Sequence, residues 1–142
     1  MKVLNKKARY DYQILEKYET GIALIGAEVK AIRAGKISIN QAYAKEVNGE
    51  IYLVNANISV PGKKDYSPTR SRTLLLHKKE IVSIITKIKA KKLTIVPTKV
   101  YTRGRLIKAE IALAKSKREF QKKELLKSRA IQRDIERELK ER

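Results

Sequence analysis

Residues 43–54, YAKEVNGEIYLV, contain the clearest local structural signal in the chain. Asn48-Gly49 stands between two runs in which apolar and polar residues alternate, Tyr43 to Val47 and Glu50 to Val54. Because Asn-Gly suits the positive dihedral angles of a tight two-residue turn, this stretch predicts an antiparallel hairpin. A protein built on antiparallel strands is therefore the first hypothesis.

Strands are also predicted on both sides of this hairpin. Apolar and polar residues alternate in segments 10–14 and 107–113, as they do in a strand with one buried face. Residues 21–25 and 93–101 predict two more strands, and residues 102–105 predict a turn.

Two helices and a long loop are predicted between these strands. Residues 28–34 predict a short helix that Gly35 ends, and the spacing of the isoleucines in 81–88 predicts a longer one. Residues 59–72 contain Pro61, Gly62 and Pro68 among basic side chains. They predict a long, basic, mobile loop.

The predicted fold class is mainly β. Short antiparallel strands with flanking α-helices predict a small, closed or nearly closed β-barrel related to the oligonucleotide-binding fold. We expect this barrel to occupy residues 1–114.

Residues 115–142 predict a separate basic C-terminal tail, since they contain many basic residues and no glycine or proline. Arg129, Arg133 and Arg137 follow each other at four-residue spacing and would share one helix face. The apolar stripe beside them is thin, so we expect the tail to be disordered when free and helical when bound. A solvated helix packed on the domain is the alternative.

The charge balance indicates a polyanionic partner. The formal net charge is +19, from 34 Lys plus Arg against 15 Asp plus Glu. Such an excess opposes compaction, and it suits the phosphates of a nucleic acid. The sequence contains no lipid-anchoring motif, no long apolar span and no signal-peptide core behind residues 1–9. We therefore expect a cytoplasmic protein that does not bind a membrane.

The side-chain inventory argues against an enzyme. There is no Cys and only one His, His77, so disulfides, Cys nucleophiles and thiolate metal sites are excluded. We expect no catalytic residue, no cofactor and no metal. An RNA-processing enzyme with a carboxylate site for magnesium stays open as a rival by count alone, with four candidates: Glu28, Glu46, Glu50 and Glu110.

Basic residues supply the first candidates for RNA contact. Lys30 and Arg33 share a face of the predicted short helix, and Lys36 follows its end. Arg70 and Arg72 occupy alternate positions of an extended segment, where their guanidinium groups could grip phosphates or stack on bases. A solvated, functionless helix face is the more frequent explanation for a short basic run.

Three other residues have two open interpretations each. His77 could stack on an unpaired base or bond a phosphate, or it could bond backbone at a helix entry. Glu19 could accept hydrogen bonds from a base amino group, or it could pair with a nearby Lys. Leu75 fits the core better than a contact surface, because it lies in an apolar run.

Five segments in order resemble the small protein B family along nearly the whole chain: Asn5 to Arg9, Glu28 to Lys36, Pro68 to Glu80, Thr94 to Lys99 and Ile111 to Lys117. The resemblance implies a barrel related to the oligonucleotide-binding fold and binding to the tRNA-like domain of transfer-messenger RNA (tmRNA). It also implies delivery of that RNA to ribosomes stalled on broken messages, where incomplete polypeptides are tagged. We expect the protein to act as a monomer.

The resemblance matches Glu19, Leu75 and His77 to the RNA-binding surface of the family. Together with the candidates from the basic segments, the predicted RNA-binding residues are Lys7, Arg9, Glu19, Gly26, Glu28, Lys30, Arg33, Lys36, Arg70, Arg72, Leu75 and His77. For the tail, which in the family occupies the decoding centre and the empty message channel, the predicted residues are Lys115, Lys117, Arg118, Lys122, Lys123, Lys127, Arg129, Arg133 and Arg137. The loop 59–67 and the run Gln121-Lys122-Lys123 depart from the family pattern.

One rival function uses the same charge. A general ribosomal or translation-factor RNA-binding barrel protein would bind ribosomal RNA and would show no preference for a tRNA-like fold.

Overall fold

The computed structural model describes residues 1–117 and 129–137. Nine strands are present within 1–117: β1 (Lys2–Leu4), β2 (Tyr12–Ile22), β3 (Ile37–Ser38), β4 (Tyr43–Val47), β5 (Glu50–Val54), β6 (Asn57–Ile58), β7 (Arg72–Leu75), β8 (Thr94–Arg103) and β9 (Leu106–Ser116). The helices of this part are α1 (Lys6–Asp11), α2 (Gly26–Arg33) and α3 (Lys78–Lys91).

Seven strands form one antiparallel sheet in the order β1-β8-β9-β2-β7-β5-β4, and β3 pairs with β6. The chain is mainly β, as predicted. Within the described residues no ladder joins β4 to β1, so the sheet is open and the predicted closed barrel is not confirmed.

One face of this sheet carries the core. Along β9 the side chains of Ile107, Ala109, Ile111 and Leu113 are buried, as their alternation predicts. They pack with Ile84 of α3 and with buried residues of β5, β7 and α2. The residues between them on β9 point to the opposite face, which we call the outer face.

The hairpin prediction is confirmed. β4 and β5 pair from Tyr43↔Val54 to Val47↔Glu50, and Asn48 and Gly49 have φ angles of 52° and 82°. The α3 prediction is also confirmed, with Ile84 fully buried and its neighbours Ile81 and Ile88 packed against the core.

The predicted strand over 10–14 is wrong at its start, because Tyr10 and Asp11 end a helix. Asn5 begins that helix: its side-chain oxygen accepts from the Ala8 N–H at 3.1 Å, and its amide donates to the Pro97 carbonyl at 2.9 Å. From Tyr12 the chain runs as one strand through Gly21 to Ile22, so the two predicted strands are one.

The loop predicted as mobile is tied to the fold. The Ile58 N–H donates to the Pro68 carbonyl, and the Tyr66 hydroxyl lies within hydrogen-bond distance of the Glu28 carboxylate, at 2.8 Å, and of the Ile58 carbonyl, at 3.1 Å. Arg72 reaches the Pro68 carbonyl from β7 at 2.9 Å. These bonds fix the loop at several points between β6 and β7.

The boundary at 114 falls inside a strand. β9 continues to Ser116, which pairs with Tyr12, and the Lys117 N–H donates to the Asp11 carbonyl. Residues 129–137 are helical, and all nine are exposed, so this segment buries no apolar face on the sheet. Among the described residues no helix is both long enough and apolar enough to cross a membrane.

Candidate nucleic-acid interface

The outer face has a row of side chains that crosses four strands. Tyr101 of β8 pairs with Lys108 of β9, Lys108 pairs with Gly21 of β2, and Gly21 pairs with Leu75 of β7. Directly paired residues of antiparallel strands project to the same side of a sheet. These four positions therefore share one surface near the β8–β9 turn.

Glu19 lies on this face, two residues before Gly21. Its carboxylate accepts a hydrogen bond from the Tyr101 hydroxyl and bonds from Arg103 Nη1 at 3.1 and 3.3 Å. The bond from Tyr101, with the charges of Arg103 and Lys108, holds the pKa of Glu19 below its usual value. Glu19 is thus an ionised acceptor in a basic surround, and its partners are Tyr101 and Arg103 rather than the Lys that the alternative interpretation expected.

Leu75 is 59% exposed, so its assignment to the core from the apolar run is wrong. It lines a groove with Leu24, Leu106 and Lys108, and Leu106 is also 59% exposed. Gly21 forms part of the groove wall, where an added Cβ would come within 3.3 Å of the Leu75 Cβ. Two exposed leucines rimmed by cations offer an apolar contact beside Glu19.

Helix α2 is held against the same end of the sheet. Arg33 donates from Nη2 to the Arg105 carbonyl in the β8–β9 turn at 2.6 Å. Lys30, Arg33 and Lys36 are exposed, and Gly26 at the helix start has open space around its Cα. The cationic side of α2 therefore lies near the turn that carries Leu106.

His77 is exposed at the residue before α3. Its backbone N–H donates to the Glu80 carboxylate at 3.2 Å, which stabilises the first turn of the helix. Since β7 ends at Leu75, His77 lies two residues beyond the end of the strand that carries this surface.

Glu28 and Arg72 are not surface residues. Both side chains have zero exposure, and Arg72 donates to the Glu28 carboxylate from Nε at 2.9 Å and from Nη2 at 2.6 Å. Arg72 also donates to the carbonyls of Ala56 and Pro68. The prediction that Arg72 grips a phosphate and Glu28 contacts RNA is therefore corrected: they bind each other and hold the loop on α2.

Arg70 is partly exposed, with 34% of its side chain accessible, and it also donates to Glu28. The alternation of Arg70 and Arg72 does place both on one side of the segment. That side faces Glu28 instead of solvent.

Lys7 and Arg9 are exposed on α1, at the opposite end of β2 from Glu19. The strand between Tyr12 and Glu19 separates the two regions by roughly 20 Å. Lys117 joins this second region, because its Nζ donates to the Arg9 carbonyl at 3.2 Å. The predicted site residues thus form two surface groups and one buried group.

The tail assignments divide in the same way. Lys115 is exposed at the end of β9, and Arg129, Arg133 and Arg137 are exposed on the helical segment 129–137. Four assigned residues lie outside the described residues: Arg118, Lys122, Lys123 and Lys127.

Sequence reasoning missed four residues of this surface, three near Glu19 and one beside Leu75: Tyr101, Arg103, Lys108 and Leu106. The available signal was the alternation on β9, because the residues between its buried positions belong to the outer face. Pairing them with Tyr101 and Arg103 requires the register of β8, which shifts between Pro97 and Lys99.

No group of three or more His, Asp or Glu residues that could hold a metal ion occurs within 1–117 and 129–137. Glu28 is bound by arginines, and Glu110 by Lys99 and Thr98. These carboxylates have local partners that account for them.

The fold and this surface define a class, a basic, mainly β nucleic-acid-binding protein. Comparisons with known proteins identify the family. The chain matches the SmpB protein family over residues 2–141. An SsrA-binding protein of Sulfurihydrogenibium sp. is 46% identical over 139 residues, 96% of this chain and 91% of that protein. An SsrA-binding protein of Shouchella clausii is 45% identical over 141 residues, 97% of this chain and 90% of that protein.

A solved structure is similar as well. A chain from the structure described as "tmRNA-SmpB: a journey to the center of the bacterial ribosome" is 43% identical, with a TM-score of 0.66 over 83% of this chain and 85% of that chain. The chain described here belongs to the SmpB family.

Proposed function

We propose that this protein binds the tRNA-like domain of tmRNA and delivers that RNA to stalled ribosomes, where incomplete polypeptides are tagged and released. The match to the SmpB family over residues 2–141 carries this proposal. Relatives that cover nearly the same length are SsrA-binding proteins, and the similar solved chain comes from tmRNA–SmpB on the bacterial ribosome.

We assign the primary RNA contact to the outer face around Glu19, Leu75 and His77, with Lys30, Arg33 and Lys36 beside it. The chemistry of this surface supports the assignment. Cations bind phosphates, a fixed carboxylate accepts from a base amino group, and an exposed leucine packs on a base or ribose. Lys7 and Arg9 lie far from this surface, so we assign them a second, separate contact with the RNA backbone or the ribosome.

The two regions of the chain have different roles in this proposal. The RNA-binding domain, predicted to end at residue 114, extends through the end of β9 to Lys117, and we relate its open sheet to the barrel of oligonucleotide-binding proteins. The residues after it form the tail that enters the decoding centre and the message channel. The arginines of 129–137 support this role, because all three are exposed and available to a polyanion.

We propose a noncatalytic role in the cytoplasm, where ribosomes act. Binding and orientation of RNA need no reacting side chain on this protein. The +19 charge supplies the affinity for two RNA partners, tmRNA and the ribosome.

The test is identification of the RNA that the protein carries. The full chain is purified from cells under mild salt, and the bound RNA is extracted and sequenced. Enrichment of tmRNA over ribosomal RNA and tRNA is the expected result. Ribosomal RNA alone would favour the rival function of a general ribosomal protein and would overturn the proposal.

A further inference from the structure

We infer that Tyr101 and Arg103 are specificity-determining residues of the RNA site: Tyr101 orients the Glu19 carboxylate toward a base amino group, and Arg103 contacts the adjacent phosphate. This inference rests on the proposed function and names two residues that it does not use. The ligand is a nucleotide whose base has an exposed amino group.

The cluster joins residues from two strands that are not neighbours. Glu19 is on β2, and Tyr101 and Arg103 are on β8, with β9 between them. Since adjacent strands are about 4.8 Å apart, roughly 10 Å separate β8 from β2. The side chains of Tyr101 and Arg103 on one strand and of Glu19 on the other span this distance together, above β9. Two long side chains that meet one carboxylate across an intervening strand leave that carboxylate few alternative rotamers.

The Tyr101 ring is fixed from a second side. Lys99 Nζ lies 5.2 Å from the ring centroid, and the Lys99 side chain also approaches the Glu110 carboxylate at 3.8 Å. Burial and the bond to Glu19 raise the pKa of Tyr101 to about 12, so its hydroxyl remains a donor across the physiological range. Glu19 therefore accepts a directed hydrogen bond from a protonated Tyr101 hydroxyl.

Both charged groups keep capacity for a ligand. The side chain of Arg103 is 70% exposed and that of Glu19 is 40% exposed. Among the described residues only Nη1 of Arg103 has a partner, which leaves the Nε and Nη2 donors to solvent. A carboxylate has about four acceptor positions, so Glu19 can accept a further bond while Tyr101 and Arg103 hold it.

An acceptor and a set of cationic donors a few ångströms apart fit one nucleotide. The exocyclic amino group of adenine, cytosine or guanine donates to the carboxylate, and the guanidinium grips the backbone phosphate. Uracil has no amino group and fits this arrangement poorly. The pair thus discriminates by base as well as by charge.

The test measures binding of the full chain to the tRNA-like domain of tmRNA over a range of salt concentrations. Five variants are compared with wild type: Glu19→Gln, Tyr101→Phe, the double variant of these two, Arg103→Met and Arg103→Lys. Tyr52→Phe is the matched control, because the Tyr52 hydroxyl makes the same kind of bond to Glu50 at 3.0 Å on another strand.

Tyr101→Phe should weaken binding about 3- to 10-fold with an unchanged salt slope, because it removes a hydrogen bond without changing the charge of the protein. The double variant should bind no more weakly than Glu19→Gln alone, since Tyr101 acts through Glu19. Arg103→Met should weaken binding and reduce the log–log salt slope by about one, and Arg103→Lys should restore the slope. Tyr52→Phe should bind like wild type.

The inference is overturned if Tyr101→Phe binds the RNA as tightly as wild type, or if Arg103→Met keeps the full salt slope. Either result would show that these residues serve the fold alone. Melting temperatures of all variants separate lost folding from lost contact. If Tyr101→Phe lowers the melting temperature, the Arg103→Lys and Arg103→Met slopes decide. The proposed function fails separately, if wild type shows no preference for the tRNA-like domain over an unrelated RNA of equal length.

Discussion

At the scale of the residue, Glu28 combines complete burial with a negative charge. Burial by itself would raise the pKa of Glu28, but hydrogen bonds from Arg70, the Ile25 N–H, Arg72 and Tyr66 outweigh it and lower that pKa to about 2. A buried carboxylate with this many donors stabilises one arrangement of α2 and the loop after β6.

This environment predicts an acid-dependent stability. The pKa of Glu28 is about 2 in the folded protein and about 4.3 in the unfolded chain. Because the folded-state pKa is the lower one, the ionised group stabilises the fold above about pH 4.3. That contribution, of the order of 3 kcal/mol, is lost as the pH falls toward 2.

Urea unfolding at pH 6, 4 and 3 checks this. Wild type should lose stability between pH 5 and 3 more steeply than Glu28→Gln, and Glu28→Gln should be less stable at pH 6 by about 3–5 kcal/mol. Glu136→Gln, at an exposed position of the helical segment, is the control and should follow wild type. Parallel pH profiles for wild type and Glu28→Gln would contradict the account.

Leu74 and Leu75 are adjacent in β7, and we expect substitutions at the two positions to have opposite effects on stability and on RNA binding. Leu74 is 2% exposed and belongs to the core, whereas Leu75 is 59% exposed on the outer face. Leu74→Ala should lower stability by about 2–5 kcal/mol, while Leu75→Ala should leave the melting temperature near wild type.

Binding to the tRNA-like RNA should show the reverse. Leu75→Ala and His77→Ala should each weaken binding roughly 5- to 100-fold, in the range of a lost specific contact. Filter binding and thermal unfolding on the same preparations measure both effects. If Leu75→Ala lowers the melting temperature but leaves the RNA affinity of the folded protein unchanged, the outer face is not the recognition surface.

At the scale of the element, the sequence patterns correctly predicted the helices and strands that are determined by interactions between residues close in the chain. The β4–β5 hairpin follows from Asn48-Gly49, α3 from its isoleucine spacing, and the buried face of β9 from alternation. The segment 10–14 misled because its alternation resembles a strand. The bonds that Asn5 makes to Ala8 and Pro97 begin a helix there instead.

The candidate site was less predictable, because its decisive contacts are distant in sequence. Arg72 and Glu28 are 44 residues apart, and Arg103 and Glu19 are 84 apart. An exposed cation and a buried, paired cation have the same local pattern, so Arg72 was misassigned to the RNA surface. Leu75 was misassigned to the core for the corresponding reason, since its apolar run does not reveal which side faces solvent.

The tail predicts a separation of functions. Because β9 extends to Ser116 and Lys117 bonds α1, truncation after Lys117 preserves every strand contact that a cut after Lys115 would damage. The truncated protein should keep its RNA affinity within about threefold and its melting temperature, but should lose tagging on stalled ribosomes. Replacement of Arg129, Arg133 and Arg137 by Glu should have the same effect, because it replaces three positive charges that would bind ribosomal RNA phosphates with three negative ones.

A tagging assay beside an RNA-binding titration decides this. Ile131→Ala is the control, since a single exposed apolar side chain should have a milder effect than the loss of three charges. Normal tagging by the truncated protein would make the tail dispensable. Loss of RNA binding as well would move the tail into the primary RNA site.

At the scale of the whole molecule, the net charge of +19 predicts a steep dependence of binding on salt. If roughly five phosphates are neutralised, a plot of log affinity against log salt should have a slope near −4, between the coefficients for single strands and duplexes. Titrations of the tRNA-like RNA between about 50 and 300 mM salt measure the slope. A slope near zero would contradict the electrostatic account.

Charge alone binds any RNA, so the central claim is one of preference for a tRNA-like shape. The most direct test is a competition experiment at a single salt concentration. Labelled tRNA-like domain of tmRNA is displaced from the full chain by unlabelled tRNA-like domain or by a hairpin RNA of equal length and charge. The account predicts that the hairpin competes at least about tenfold less effectively. Equal competition by the two RNAs would contradict it and would leave a protein that recognises phosphate alone.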